Sequence, residues 1–266
     1  MITYPFNYKR ATSVAHAETL LKGSPDAKLL AGGQTLIAAM KMRLASPSDL
    51  IDISRLTELS YIRASNDAVV IGAATTHFEV ANSADVVKRI PALAHLASII
   101  GDPAVRHRGT LGGSVANNDP AADYPAAVLG LDATIKSNRR NIAADEFFTG
   151  MFSTALSDEE IITEVSFPIP KKAAYKKFPN PASRYAMAGV FIAQTNSGVR
   201  VAVTGAGPCV FRVPAMEAAL AKSFSAGALE GITIDSGGLN SDIHGSAEYR
   251  AHLVGVMARR AVAAAL

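Results

Sequence analysis

The stretch KLLAGGQTLIAAMKMRLASPSDLIDISRL, residues 28–56, decides the fold. Lys28 to Ala31 reads as a short buried strand that Gly32 and Gly33 end. Thr35 to Leu44 follows as a helix, with Leu36, Ile37, Met40 and Leu44 at helical spacing and Ser46-Pro47 as its stop. DLIDISRL then supplies another short apolar strand. Strand, helix and strand in this length make a βαβ unit whose glycine turn lies at the C-terminal end of a strand, where α/β sheets place anionic ligands. Adjacent glycines let the main chain come close to a phosphate, and the amides of a helix entry point outward to meet it. The G-x-G-x-x-G fingerprint is absent, however, and a lone GG is also what a helix C-cap or a tight turn carries.

A second double glycine, TLGGS at Thr110 to Ser114, lies in IGDPAVRHRGTLGGSVANNDPAADYPAAVLGLDATI, residues 100–135. Read as a second loop, it makes a pair with the first, as if one ligand were held at both ends. Arg106, His107 and Arg108 precede it and form either an anion-steering cluster or a solvated charged turn. Asn117, Asn118, Asp119 and Asp123 follow, a polar loop fitted to hydroxyls or a heteroaromatic ring, before an apolar helix over Ala126 to Leu131. Asp119 and Asp123 lack histidines at ligand spacing, so capping or hydroxyl bonding fits them better than catalysis or metal binding.

Around this centre the chain alternates types of element. A helix is predicted over Ser13 to Lys22, a strand pair over Tyr61 to Ala73, helices over Thr76 to Ala81 and Ile90 to Ile99, and a hairpin over Ala133 to Ile142. A short helix at DEFFTG and the strand IITEVSFPIP close a first region near residue 170. KKAAYKKFPNPAS is basic and proline-bearing and reads as a linker or exposed strand. Beyond it, AGVFIAQT and GVRVAVTGAGP form a strand pair, PAMEAALAKS a helix, and AEYRAHLVGVMARRAVAAAL a long amphipathic helix. The double glycine at Gly237-Gly238 lacks a preceding strand and is not a third ligand loop.

Composition narrows the function. The chain is 49% apolar, enough for a sizeable core, and its net charge of +3 comes from 26 Lys and Arg spread along the chain rather than gathered into a nucleic-acid stripe. Cys209 is the single cysteine, so this chain alone builds no iron–sulfur cluster and no cysteine-based zinc site. No apolar run approaches the roughly 18 residues of a membrane span, and MITYPFNYKR lacks the apolar stretch of a secretory signal. A cytoplasmic protein is expected.

The ordered set LLAGGQTLIAAMKMRL, VRHRGTLGGSVANNDPAADYPAAVLGLDATI and LSDEEIITEVSFPIP resembles the FAD-binding medium subunit of molybdenum-containing hydroxylases. That group includes carbon monoxide dehydrogenase and the flavin domain of xanthine dehydrogenase, and the resemblance covers nearly the whole chain. It implies a mixed α+β protein: a two-subdomain FAD-binding domain of the vanillyl-alcohol-oxidase/PCMH type over 1–170, divided near residue 56, then a small α+β domain over 171–266. It also implies that Ala31, Gly32, Gly33, Gln34, Thr35 and Leu36 meet the pyrophosphate region. Thr110, Leu111, Gly112, Gly113 and Ser114 then hold the other side of FAD, Asp123 accepts from the cofactor, and Ile100, Ile162 and Lys176 are lining contacts. Tyr185 matches a position that covers the flavin ring, but the usual acidic residue before it is here Arg184. The implied partners are a large molybdenum-binding subunit and a small subunit with two [2Fe–2S] clusters, assembled as a dimer of heterotrimers. Electrons then pass through FAD to a quinone, NAD or O2, and this chain contributes no catalytic or metal-ligating residue of its own. A self-sufficient flavin oxidase and a flavin-free assembly partner are the alternative readings.

Overall fold

The structure, a computed structural model, describes residues 2–265 of the 266-residue chain. Its first sheet is parallel, with the strand Asp49–Asp52 between Asn7–Arg10 and Lys28–Leu30. Leu50 and Ile51 of the central strand are buried, and the helix Leu36–Lys41 joins the two neighbouring strands as the predicted βαβ unit. The helix is shorter than expected because Met42 closes its last turn and Arg43 leaves it at a φ of 61°.

The second sheet is antiparallel. Its strands run in the order Ile62–Ala64, Ala68–Gly72, Ile162–Pro168, Thr134–Ser137 and Asn141–Ala143, so that Ile162–Pro168 pairs between two hairpins. Helices including Pro91–Ser98, Leu111–Asn117 and Tyr124–Gly130 contribute with it to the largest core, where Leu93, Leu96, Val115, Val128 and Phe167 are fully buried. A helix that sequence periodicity misses, Ala84–Arg89, starts at Ser83, whose hydroxyl accepts from Val86. Of its six residues only Val86 is buried, too little apolar content to give a helical period.

The third sheet corrects the linker reading of residues 171–183. Lys172–Pro179 is an eight-residue edge strand paired along Ala186–Thr195, followed in the sheet by Gly198–Thr204 and Phe211–Arg212. Its lysines mask an alternating pattern: Ala174 joins the core under the C-terminal helix Ala247–Ala264, whereas Ala173 and Tyr175 point into the main core. Ala186–Thr195 is buried along nearly its whole length because helices cover both of its faces.

Two attachments differ in kind. Arg200, 5% exposed, fastens the third sheet: its Nε donates to the Leu129 carbonyl at 2.8 Å, and its other nitrogens reach Asp145 at 2.6 Å and Asp132 at 3.0 Å. The parallel sheet is tied to the second unit by an exposed pair, Glu18 with Arg139 at 3.0 Å, and by Asn138 donating to Glu18 at 2.9 Å. Removing Arg200 takes the 2.8 Å donor from the Leu129 carbonyl and the cation from Asp132, and leaves Asp145 with only the longer 3.5 Å contact to Arg212. Arg200→Ala should cost on the order of 3 kcal/mol in urea-induced unfolding, whereas Arg139→Ala should change the midpoint little.

Glu160 holds the Thr134–Ala143 hairpin from below, accepting from Ser137 at 2.6 Å and from Arg140 at 3.0 Å. The Arg140 guanidinium, then the Ser137 hydroxyl and the Ser157 amide, lower its carboxyl from 4.5 to about 2. A lowered carboxylate stabilises the fold above its unfolded pKa and loses that effect as the native form takes up its proton. The stability difference between wild type and Glu160→Gln should therefore be fully present at neutral pH and fade between pH 4.5 and about 2, as urea midpoints across that range will show.

Candidate functional site

A cavity of about 540 Å³ lies among the three units. The loop after the strand Lys28–Leu30 forms one wall, and every residue from Ala31 to Leu36 lines it. Gly33 adopts a φ of 74°, a conformation that suits glycine, and so turns the chain into the helix. Gly32 is required for a different reason: a Cβ there would sit 2.1 Å from the Arg108 carbonyl oxygen and 2.8 Å from the Gly109 Cα, because the two backbones cross in contact. The amides of Gly32, Gly33, Gln34, Thr35 and Leu36 donate to no acceptor among the described residues. Five successive unpaired donors on a cavity wall form an anion cradle.

The second double glycine is not a loop. Gly112 and Gly113 occupy the first turn of the helix Leu111–Asn117, whose N-cap Thr110 accepts from Gly113 through its hydroxyl at 3.1 Å. The other amides of that turn are also taken: Leu111 donates to Thr75 at 3.0 Å, Gly112 to Ala73 at 2.8 Å and Ser114 to Thr110 at 3.0 Å. No orphan donors remain there for an anion. Gly112 serves packing, since a Cβ would lie 2.5 Å from that of Ala73. Thr110, Gly112, Gly113 and Ser114 line the cavity, but Leu111 faces the opposite side of the helix and is buried in the core.

Asp123, 5% exposed, reaches the cavity from the start of the helix Tyr124–Gly130 without capping it. Its two oxygens accept from the Tyr175 hydroxyl at 2.5 Å and the Lys177 ammonium at 3.0 Å. Burial pushes its carboxyl up, opposed by the Lys177 charge and the Tyr175 hydrogen bond. Lys176 is not among the lining residues: strand alternation sends it to the other face, and its neighbour Lys177 is the lysine that meets Asp123. The alternation of Tyr175 and Lys177 in AYKKF was the available signal for that pair.

Ile100 and Ile162 line the cavity as well. Tyr185 stands at its mouth, 48% exposed, on a turn in which Asn180 donates to the Tyr185 carbonyl at 2.8 Å and Arg184 donates back to Asn180 at 2.8 Å. That turn holds Arg184 at a φ of 62°, against Gly101 on the cavity wall. Burial raises the Tyr185 hydroxyl pKa, and the charges of Asp119 and Asp123 add to it. Asn118 has a structural role instead, donating to the carbonyls of Gly150 and Ser153 at 2.8 Å. The basic trio is partly occupied, with Arg106 bound to the Ile100 carbonyl at 2.7 Å and the His107 ring at 2.8 Å from that of Pro103. His77 also lines the cavity, and nothing in its sequence context marks it.

Among the described residues no group of three or more His, Cys, Asp or Glu is arranged to hold a metal, and no helix is long and apolar enough to cross a membrane.

Comparison with known proteins agrees with this layout. Residues 4–170 match the FAD binding domain in molybdopterin dehydrogenase, and residues 173–265 match the CO dehydrogenase flavoprotein C-terminal domain. The carbon monoxide dehydrogenase medium chain of Hydrogenophaga pseudoflava is 36% identical, over 100% of this chain and 98% of its own. The nicotine 6-hydroxylase medium subunit of Paenarthrobacter nicotinovorans is 36% identical over 96% and 95%. The glyceraldehyde dehydrogenase medium chain of Sulfolobus acidocaldarius is 35% identical over 97% and 98%. The crystallised Hydrogenophaga pseudoflava carbon monoxide dehydrogenase superposes with a TM-score of 0.91 at 36% identity, covering 99% of this chain and 98% of that one. The chain thus belongs to the FAD-binding family of molybdopterin dehydrogenases, with a C-terminal domain of the CO dehydrogenase flavoprotein type.

Proposed function

We propose that this chain is the FAD-carrying subunit of a molybdenum-containing hydroxylase, receiving electrons from a small [2Fe–2S] subunit and releasing them to an acceptor. The single observation that carries the reading is the run of five unpaired amides from Gly32 to Leu36 on the wall of the 540 Å³ cavity. The volume lies within the roughly 300–1,000 Å³ of small-molecule sites. Unpaired amides are what a pyrophosphate needs, and the two wall glycines leave the backbone bare toward it.

In this reading Ala31 to Leu36 hold the pyrophosphate, while Thr110, Gly112, Gly113 and Ser114 form the facing wall. Asp123 accepts from a cofactor hydroxyl or amide with its remaining lone pairs, and Tyr185 covers the ring, with Ile100 and Ile162 supplying apolar contact. Lys177 takes the place first given to Lys176, holding Asp123 in position. Bound FAD supplies a carrier that exchanges electrons one or two at a time. The protein's own tasks are to fix that carrier, to keep water from its buried side and to set the nearby charge, including the Arg184 cation beside Tyr185. The substrate and the molybdenum cofactor belong to a large partner subunit, with the whole as a dimer of heterotrimers in the cytoplasm and a quinone, NAD or O2 as acceptor. Units 1–170 and 171–266, the former divided near residue 56, are the corresponding domains. The relatives support this division of labour: their names attach very different substrates to the same kind of medium subunit.

Absorbance near 450 nm in the purified chain, and its bleaching when the co-expressed complex oxidises substrate, test the reading. A colourless protein that takes up no added FAD would sink it. Asp123→Ala strands a buried Lys177 whose side chain is 5% exposed, and should lower the stability of the apoprotein by about 3–5 kcal/mol besides weakening FAD. The double variant Asp123→Ala/Lys177→Met should recover most of that stability in urea melts without recovering FAD affinity.

A further inference from the structure

Gly109 is pressed from two sides. Gly32 meets it from the cradle loop, and on the other side lies His77: a Cβ on Gly109 would stand 2.6 Å from the imidazole Nε2 and 2.9 Å from its Cδ2, with the Val105 carbonyl oxygen at the edge of contact at 3.0 Å. The His77 amide also donates to the Gly109 carbonyl at 3.0 Å. The next residue of the same helix, Phe78, stacks on His107 with ring centroids 4.2 Å apart. Two consecutive side chains of the helix His77–Asn82 therefore grip two residues of the segment that Gly32 crosses.

His77 is only 5% exposed yet lines the cavity, and its Nδ1 has no hydrogen-bond partner among the described residues. The Tyr124 ring lies 5.2 Å away, and its hydroxyl is likewise buried without a partner. Burial, followed by the charge of Arg106, lowers the imidazole to about 4, so the ring is neutral at pH 7. An uncharged, closely packed ring can rest directly against a glycine backbone.

We propose that His77 is a positioning residue for the cofactor: its ring sets the height of Gly109, and through Gly109 that of the Gly32 turn whose amides face the cavity. The inference rests on reading the cavity as the FAD site. His77 itself need not touch FAD, since it acts through two glycines in series.

The test is FAD titration of the full-length apoprotein, followed by flavin fluorescence quenching, with circular dichroism to show that each variant is folded. His77→Ala should raise the FAD Kd at least tenfold, and His77→Gln, which keeps the reach and neutrality of the ring, should stay within threefold of wild type. Gly109→Ala should weaken FAD in the wild type, but in the His77→Ala background its methyl fills the vacated space and should tighten binding again, a non-additive cycle. His77→Ala within twofold of wild type, His77→Gln as weak as His77→Ala, or additive penalties in the double variant would each overturn the inference. Should His77→Ala fail to fold, Gly109→Ala alone decides, because unchanged FAD affinity there contradicts the contact. A wild type that takes up no FAD overturns the cavity reading and this inference with it, whereas a wild type that binds beside a silent His77→Ala overturns this inference alone.

Discussion

The structure depends on one close approach, the crossing of Gly32 over the Arg108–Gly109 peptide. A single methyl at Gly32 would lie 2.1 Å from a carbonyl oxygen, deep inside van der Waals contact, so no other residue permits the parallel unit to lie this near the helical one. That distance fixes how the cradle loop faces the helix Leu111–Asn117, and with it the width of the cavity between them. Core packing then secures the arrangement: Ala73 against Gly112, and Phe191 against Gly130, are contacts that only a glycine leaves room for.

The charge arrangement follows from the same geometry. Anion binding at this wall, as proposed, would rely on neutral backbone dipoles, while the deeply buried Lys177 is already matched by Asp123 at 3.0 Å. A cavity that used lysines for the same purpose would carry their desolvation cost whenever it stood empty. Dipoles that are part of the chain carry no such charge penalty, and their direction is set by the fold.

Residues 28–56 were legible because strand, glycine turn and helix each obey their local preference and agree with the tertiary result. The antiparallel hairpins were legible for the same reason. The second double glycine misled, since glycine disfavours a helix interior by roughly 1 kcal/mol relative to alanine. Here the packing of Gly112 on Ala73 outweighs that preference, a tertiary fact that local sequence does not carry. KKAAYKKF reads as solvated because four of its eight residues are lysines, yet Lys177 is buried by a carboxylate 54 residues away. Its partner Asp123 was singled out for the site, but not the bond that holds it. His77 had no signal at all: its proposed role comes from a glycine 32 positions on, brought beneath it by the pairing of Thr76 with Thr110.

The attachments between the units also set how each wall of the cavity is held. Tyr185 and Arg184 belong to the third unit, which buried Arg200 locks to the helix Tyr124–Gly130. They form a fixed jamb. The parallel unit is fastened by the Glu18–Arg139 pair, of small energy, and by a buried apolar seam in which Ala17, Leu21 and Ile53 join Ala74 and Ile161. In the proposed function, the ring end of the ligand would rest against the jamb of Tyr185 and Arg184, and its phosphates against a loop whose unit is held to its neighbour by a buried apolar seam and an ion pair.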